Sequence, residues 1–177
     1  IAVITTFLLN LSSEQGNITK LNGIDIWWES HGDINNPTAL LIMGLNSNSK
    51  VWSDQYIENL VANNLHILVF DNRDIGKSTW ITEEPGLITF IKYLPNFLQV
   101  YFVEFIFGFI FDEEGKFNME NPAPAEYNLS DMAMDGIALL DHLEISEAHI
   151  IGASMGGMIA QVMALEHSDR VKSLTLF

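Results

Sequence analysis

The segment from His149 to Gln161 constrains the fold of this chain most, because it joins a buried strand to a helix through one tight turn. Its first residues are an apolar run, as expected for a buried parallel strand. The pattern Gly152-Ala153-Ser154-Met155-Gly156 follows at once, and apolar residues then recur at helical spacing. This order of strand, glycine-rich turn and helix predicts that Ser154 lies at the tip of a sharp, strained turn.

Ser154 is therefore a candidate nucleophile. A serine hydroxyl is weakly nucleophilic in water, so acyl transfer needs one held clear of the backbone, beside a base and hydrogen-bond donors. The glycines two residues before and after Ser154 leave room for the turn, and Gly157 is expected to let the helix lie close to the sheet. The helix also points free N–H groups and its positive end at this place. The alternative is a small-residue turn that only packs a helix on a sheet.

Size and composition narrow the class of protein. With 177 residues, of which 48% are hydrophobic, the chain can bury a core as one globular domain or part of one. Its 8 basic and 23 acidic residues give a net charge of −15, which argues against nucleic acid and anionic membrane surfaces as partners. The absence of cysteine excludes disulfides, thiolate metal sites and a cysteine nucleophile.

The first residues differ from the rest. Ile1 to Leu9 is a short apolar run, so we interpret residues 1–16 as an N-terminal apolar extension, with the remnant of a signal peptide as an alternative. Residues 17–177 are assigned to the folded domain. The compartment stays open: a cytoplasmic location is slightly favoured, and a secreted or periplasmic one follows if the signal-peptide interpretation holds.

The chain then alternates strands and helices. Asn22-Gly23 is a favoured hairpin turn and predicts an antiparallel pair within Thr19–Ser30. Apolar runs at residues 39–43 and 66–70 predict buried parallel strands, and a helix with Ser53 as N-cap lies between them. A second helix is predicted over Leu129–Glu144 with Ser130 as N-cap, and a last strand from Ser173. The alternation implies a mostly parallel sheet with right-handed crossovers.

An insertion is predicted at about 85–124. Its segment Leu87–Phe111 is dense in apolar and aromatic residues, but polar residues interrupt it before it reaches the roughly 20 apolar residues of a membrane span. We therefore expect no transmembrane span and favour short helices broken at Pro95. Core packing is the preferred role of this segment, and a lid over an apolar acyl group is the alternative.

Taken together, the motifs resemble the α/β-hydrolase fold, in particular serine esterases similar to aclacinomycin methylesterase-like hydrolases. The resemblance rests on Leu41-Ile42-Met43-Gly44-Leu45, on Phe70 to Ser78, and on Gly152 to Gly156. It implies that Ser154 is the nucleophile and that the backbone N–H groups of Met155 and Leu45 form the oxyanion hole. Gly44 and Asn46, beside Leu45, are the binding residues that it implies. It implies no metal or organic cofactor.

One position before the elbow departs from the family's pattern. Met43 stands where the family usually has His, which removes a side chain that braces the first loop but leaves the backbone donor of Leu45 intact. Asp71 and Arg73 are interpreted as charges that brace loops, not as catalysts.

The triad is the larger departure. In this fold the nucleophile is followed along the chain by Asp or Glu and then by His. After Ser154 the candidates are Glu166, His167 and Asp169, which lie about 18 Å or more along the helix at 1.5 Å per residue. We therefore expect the acid and the histidine to lie beyond Phe177, in a fold truncated after the elbow helix and the start of the next strand. Alone, the chain is expected to be inactive.

The function favoured for the full-length protein is hydrolysis of a small, apolar carboxylic ester through an acyl-enzyme. A perhydrolase, a lactonase or a carbon–carbon bond hydrolase would use the same serine. A non-catalytic binding protein with this fold is the alternative from another class, supported by Met43 and by the apolar insertion. Dimerisation through the exposed edge of the last strand is a further expectation.

Overall fold

A computed structural model describes residues 16–82 and 125–177. The chain divides into two compact units, and the described residues belong almost entirely to the first, Ile1–Ile81 with Tyr127–Phe177. The predicted N-terminal extension, the insertion at about 85–124 and its segment Leu87–Phe111 lie outside the described residues, so their assignments stay predictions.

The described residues form six strands and three α-helices. The strands are β1 (Asn17–Leu21), β2 (Ile24–His31), β3 (Thr38–Ile42), β4 (His66–Phe70), β5 (Ala148–Gly152) and β6 (Val171–Leu176). The helices are α1 (Asp54–Ala62), α2 (Leu129–His142) and α3 (Met155–Glu166), with 3₁₀ turns at Ser49–Val51 and Ser168–Arg170.

All six strands belong to one sheet, in the order β1-β2-β4-β3-β5-β6. The strands β3, β4, β5 and β6 are parallel, whereas the hairpin of β1 and β2 joins β4 in antiparallel register. This is the mostly parallel sheet with an antiparallel N-terminal hairpin that the sequence predicts. The carboxyl ends of the parallel strands share one edge, and the loops that follow β3, β4 and β5 meet there.

The sheet buries apolar side chains on both faces, which explains the uninterrupted apolar runs of its central strands. On one face Leu40, Leu68 and Ile150 pack with the apolar sides of α2 and α3. On the other face Leu41 and Val69 pack with residues of α1 and of the segment before it. The turn that carries Ser154 is thus attached to a rigid, two-sided core.

Three predicted boundaries are wrong by two residues. The N-cap of α2 is Asn128 and not Ser130, because the Asn128 side chain accepts hydrogen bonds from the backbone N–H groups of Ser130 and Asp131. The Asp131 carboxylate accepts in return from the Asn128 N–H at 2.8 Å, a reciprocal capping box. At its other end α2 stops at His142, and β6 begins at Val171, ahead of the predicted Ser173.

None of the helices in the described part of the chain is long and apolar enough to cross a membrane. The same residues bring together no group of three or more His, Asp or Glu side chains that could hold a metal ion.

Candidate active site

Ser154 occupies a strained backbone conformation in the turn between β5 and α3. Its φ is 54° and its ψ is −124°, a region that side-chain-bearing residues rarely adopt. The turn is held from both sides, since the Ala153 N–H donates to the Ile42 carbonyl and the Ser154 N–H to the Phe177 carbonyl, each at 3.0 Å. The side chain of Ser154 is exposed. The predicted strained turn is therefore present, and it presents a hydroxyl group to solvent.

Close packing explains the two glycines of the turn. A Cβ at Gly152 would collide with the Gly156 carbonyl, and a Cβ at Gly156 would collide with the Ile42 carbonyl of the neighbouring strand. Gly157 differs, because a Cβ there would meet its nearest neighbour, the Gly152 carbonyl oxygen, at an ordinary 3.5 Å. The helix thus approaches the sheet at Gly156, and the expectation that Gly157 provides this approach is wrong.

The loop after β3 lies against Ser154. A Cβ added at Gly44 would stand 2.9 Å from the Ser154 Cβ and 3.3 Å from its Oγ. The loop then turns at Asn46, whose φ of 53° is left-handed, and the Ser47 N–H donates to the Gly44 carbonyl at 3.3 Å. Leu45, between them, is 62% exposed. The structure thus brings Gly44 beside the nucleophile candidate, with Leu45 and Asn46 exposed in the same loop.

Two backbone N–H groups in these segments, those of Met155 and Leu45, have no backbone partner among the described residues. Met155 is the first residue of α3, so its N–H has no partner within the helix. The Leu45 N–H donates no hydrogen bond to any other residue that the structure describes. An N–H group at a helix N-terminus favours an anionic oxygen.

Asp71 ties the loops behind the site together. Its buried carboxylate accepts from the Ser49 N–H at 2.9 Å, from the Ser49 hydroxyl at 2.8 Å and from the Lys77 N–H at 3.3 Å. Burial raises the pKa of Asp71, while the hydrogen bonds from Ser49 oppose that rise. Its carbonyl accepts from the Ser78 hydroxyl at 2.6 Å. Asp71 therefore braces loops, as the sequence predicts.

Arg73 forms a buried ion pair with a distant residue. Its Nε donates to Oδ2 of Asp135 in α2, and one terminal nitrogen donates to Oδ1 of the same residue, both at 2.8 Å. Hydrogen bonding to Asp135 raises the pKa of Arg73, so the guanidinium stays charged. The ring of Tyr127 lies 5.0 Å from the guanidinium, and its hydroxyl donates to Asp74 at 2.7 Å. Burial, followed by the bond to Asp74, raises the pKa of Tyr127.

Asn72 contacts the first loop, and the sequence pattern alone does not single it out. Its side-chain Nδ2 donates to the Met43 carbonyl at 2.9 Å, and the residue is 2% exposed. The departure at Met43 was the available signal, since a loop without its usual brace predicts that another side chain supports it.

Three large apolar side chains in the segments next to Ser154 are exposed to solvent. Leu45 in the first loop, Met158 in α3 and Phe177 after β6 are all more than half exposed. The Phe177 ring meets that of buried Trp52 edge-on at 6.5 Å, and the Trp52 Nε1 is buried without a hydrogen-bond partner. The segments next to Ser154 therefore expose large apolar side chains.

No histidine of this chain lies beside Ser154, and all five fall within the described residues. His31, His66 and His149 lie at the edge of the sheet opposite the turn, where they pair with the first residues of neighbouring strands. The His66 ring contacts the Thr38 hydroxyl, and that of His149 contacts Ser173. The His31 Nε2 lies 3.7 Å from a carboxylate oxygen of Glu29 and has no hydrogen-bond partner among the described residues.

The other two histidines lie at helix ends. His142 closes α2 and contacts the Thr19 hydroxyl at 3.5 Å, and its ring meets Trp28 edge-on. His167 caps the C-terminus of α3, with the whole 12-residue helix between it and Ser154. The structure thus keeps His167 away from the turn.

Comparison with known proteins gives a family match over most of the chain. The alpha/beta hydrolase fold family matches residues 37–177. Rhodomycin D methylesterase of Streptomyces peucetius is 27% identical over 153 residues, which are 86% of this chain and 38% of that protein. A 2-hydroxymuconate semialdehyde hydrolase of a Pseudomonas species is 42% identical over 57 residues, 32% of this chain and 20% of that protein. The chain spans well under half the length of these relatives.

Solved structures share the fold. Epoxide hydrolase A from Mycobacterium thermoresistibile superimposes with a TM-score of 0.63 at 19% identity, covering 92% of this chain and 38% of that one. The enol-lactonase from Burkholderia xenovorans gives a TM-score of 0.58 at 18% identity, with 88% of this chain and 44% of that one covered.

Proposed function

The chain belongs to the alpha/beta hydrolase fold family, and on this premise we propose that Ser154 is the nucleophile of a carboxylic ester hydrolase. The observation that carries the proposal is the left-handed backbone of Ser154, with φ at 54°, on an exposed turn at the carboxyl edge of the sheet. Such strain is retained where a function requires it. A turn that only packed a helix on a sheet would place a glycine there.

In the proposed reaction the Ser154 Oγ attacks the ester carbonyl carbon, and its proton passes to a general base. The carbonyl oxygen becomes an oxyanion that accepts hydrogen bonds from the N–H groups of Leu45 and Met155. Collapse of the tetrahedral intermediate expels the alcohol, which takes the proton from the base, and leaves an acyl-enzyme on Ser154. Water then attacks the acyl carbon while the same base takes its proton, and that proton returns to the Ser154 Oγ as the carboxylic acid leaves. This chemistry requires neither a metal nor an organic cofactor.

The general base comes from outside residues 1–177 in this proposal. His31, His66 and His149 lie at the opposite edge of the sheet, and α3 separates His167 from the serine. The matched region is 38% of rhodomycin D methylesterase, so that protein has residues with no counterpart in this chain. We expect the 177 residues alone to show no ester turnover, because only the hole and the nucleophile would be present.

The proposed substrate is a small-molecule ester with an apolar acyl group. Exposed Leu45, Met158 and Phe177 would contact such a group, with Gly44 and Asn46 in the loop beneath it. Rhodomycin D methylesterase, by its name, acts on an ester. A lactone or a carbon–carbon substrate would use the same serine, so the reaction must be separated from these by assay.

The test uses the full-length protein and its Ser154→Ala variant. A fluorophosphonate probe should label the first and not the second, and a short p-nitrophenyl ester should be hydrolysed faster than a lactone or a diketone. Labelling without ester turnover would refute ester hydrolysis and favour a related reaction. Absence of labelling in the folded protein would favour a non-catalytic binding protein.

A further inference from the structure

We propose that Asn72 is a positioning residue that holds the loop after β3 in the shape that the oxyanion hole needs. The inference rests on the proposed function. In the family that the sequence resembles, the residue at position 43 usually supports the loop after β3. We assign that support to Asn72, in the loop after β4.

The contact lies one peptide away from the proposed donor. Asn72 Nδ2 donates to the Met43 carbonyl oxygen at 2.9 Å, and that carbonyl belongs to the peptide bond between Met43 and Gly44. The next peptide carries the N–H of Leu45. Because a peptide unit is planar, fixing the Met43 carbonyl fixes the orientation of the Gly44 N–H and limits how the following unit can turn.

The elbow holds the same strand end from the other side. The Ala153 N–H donates to the Ile42 carbonyl at 3.0 Å, and Gly156 packs against the carbonyls of Ile42 and Met43. The Met43 carbonyl is thus held between α3 and the amide of Asn72. Without that amide, the Met43–Gly44 peptide keeps the packing contact from Gly156 but loses the hydrogen bond that sets its plane.

Stability alone does not account for an asparagine at this position. The Oδ1 of Asn72 is buried without a hydrogen-bond partner, which is unfavourable. Leucine, which has a similar volume, would remove that orphaned oxygen while leaving the Met43 carbonyl unpaired in its place. Stability is therefore expected to change little, whereas the orientation of the loop would be lost.

The experiment compares Asn72→Leu with Asn63→Leu in the full-length enzyme. Asn63 is the matched control, since this exposed residue at the C-cap of α1 also donates its side-chain N–H to a backbone carbonyl, that of Asn59 at 2.8 Å. Active sites are counted with the fluorophosphonate probe, and kcat and KM are then measured with a p-nitrophenyl ester. A boronic acid, which forms a tetrahedral adduct on serine, reports on the hole directly.

For Asn72→Leu we expect kcat per labelled site to fall about 10- to 100-fold, since misplacing a donor by about 1 Å has costs of this order. The KM should stay within about threefold, the affinity for the boronic acid should fall in parallel with kcat, and Asn63→Leu should change none of these. A purely structural role would lower the melting temperature and the labelled fraction, with kcat per labelled site unchanged.

A kcat within about threefold of the wild type would overturn the proposal. If Asn72→Leu does not fold, Asn72→Gln, which places the same amide one methylene further out, is measured instead, with the same expected direction and the same overturning result. Failure of the proposed function is distinct, because the wild type itself would then neither hydrolyse the ester nor react with the probe.

Discussion

At the scale of single residues, the strain at Ser154 can be measured as a difference between two substitutions. Ser154→Ala removes the hydroxyl but keeps a Cβ at a φ of 54°, whereas Ser154→Gly removes both. Glycine adopts this region at no steric cost. We therefore expect the Gly variant to be more stable than the Ala variant, with a free energy of unfolding about 1–2 kcal/mol larger. Urea denaturation of the full-length protein measures this.

The control for this comparison is Ser130, a half-buried residue in the first turn of α2. There the order should reverse, with Gly less stable than Ala by up to about 1 kcal/mol, as in helices generally. If Gly and Ala were equally stable at position 154, the strain, and with it the main support for a nucleophile, would be absent.

Gly44 supplies a second prediction at this scale. A Cβ there would stand 2.9 Å from that of Ser154, so Gly44→Ala should displace the serine or the loop and lower the rate of fluorophosphonate labelling by about 100-fold. Gly157→Ala is the matched control, because its Cβ would meet an ordinary contact at 3.5 Å. Equal labelling rates in the two variants would contradict the placement of the first loop against the nucleophile.

At the scale of elements, the capping box of α2 is testable because the sequence favours a different residue. Asn128→Ala removes the acceptor for two backbone N–H groups and should lower the free energy of unfolding by about 1 kcal/mol. Ser130→Ala, at the position that the sequence pattern suggests, should cost less, since the Ser130 hydroxyl has Glu166 as its one side-chain partner among the described residues. Thermal unfolding of both variants decides between the two positions.

Elements whose signal is local could be predicted from the sequence. The run His66–Phe70 is a strand with the predicted bounds, and Asn22-Gly23 forms the predicted turn of the hairpin. The start of α2 is harder to predict, because Asn128 and Ser130 are both good N-cap residues and lie two positions apart. Only the backbone geometry selects Asn128.

At the scale of the whole molecule, what could not be predicted depends on contacts distant in sequence. The turn at Ser154 is encoded within a few residues, so its strain was expected. The bond of Asn72 to Met43 spans 29 positions, and that of Arg73 to Asp135 spans 62. The composition of a loop indicates that it is polar, but only the register of the sheet and the packing of α2 decide which partner each polar group finds.

The ion pair of Arg73 and Asp135 joins the parts of the fold before and after residues 82–126. Both side chains are buried, with Asp135 1% and Arg73 9% exposed. Arg73→Leu would leave the Asp135 carboxylate buried with only the Asn22 amide at 3.3 Å as its remaining side-chain partner among the described residues. An uncompensated buried charge is very unfavourable, so this variant should lose about 3–5 kcal/mol of unfolding free energy.

The double variant Arg73→Leu/Asp135→Leu separates the charge from the architecture. With both charges gone, apolar groups can fill the space. We therefore expect the double variant to be at least about 1 kcal/mol more stable than the sum of the two single losses predicts. Chemical denaturation of the wild type and the three variants completes the cycle. Additive losses would mean that the pair is not coupled. A positive coupling would mean that the ion pair attaches the loop after β4 to α2. Because Asn72 is next to Arg73 in that loop, the same ion pair would help to fix the position of Asn72.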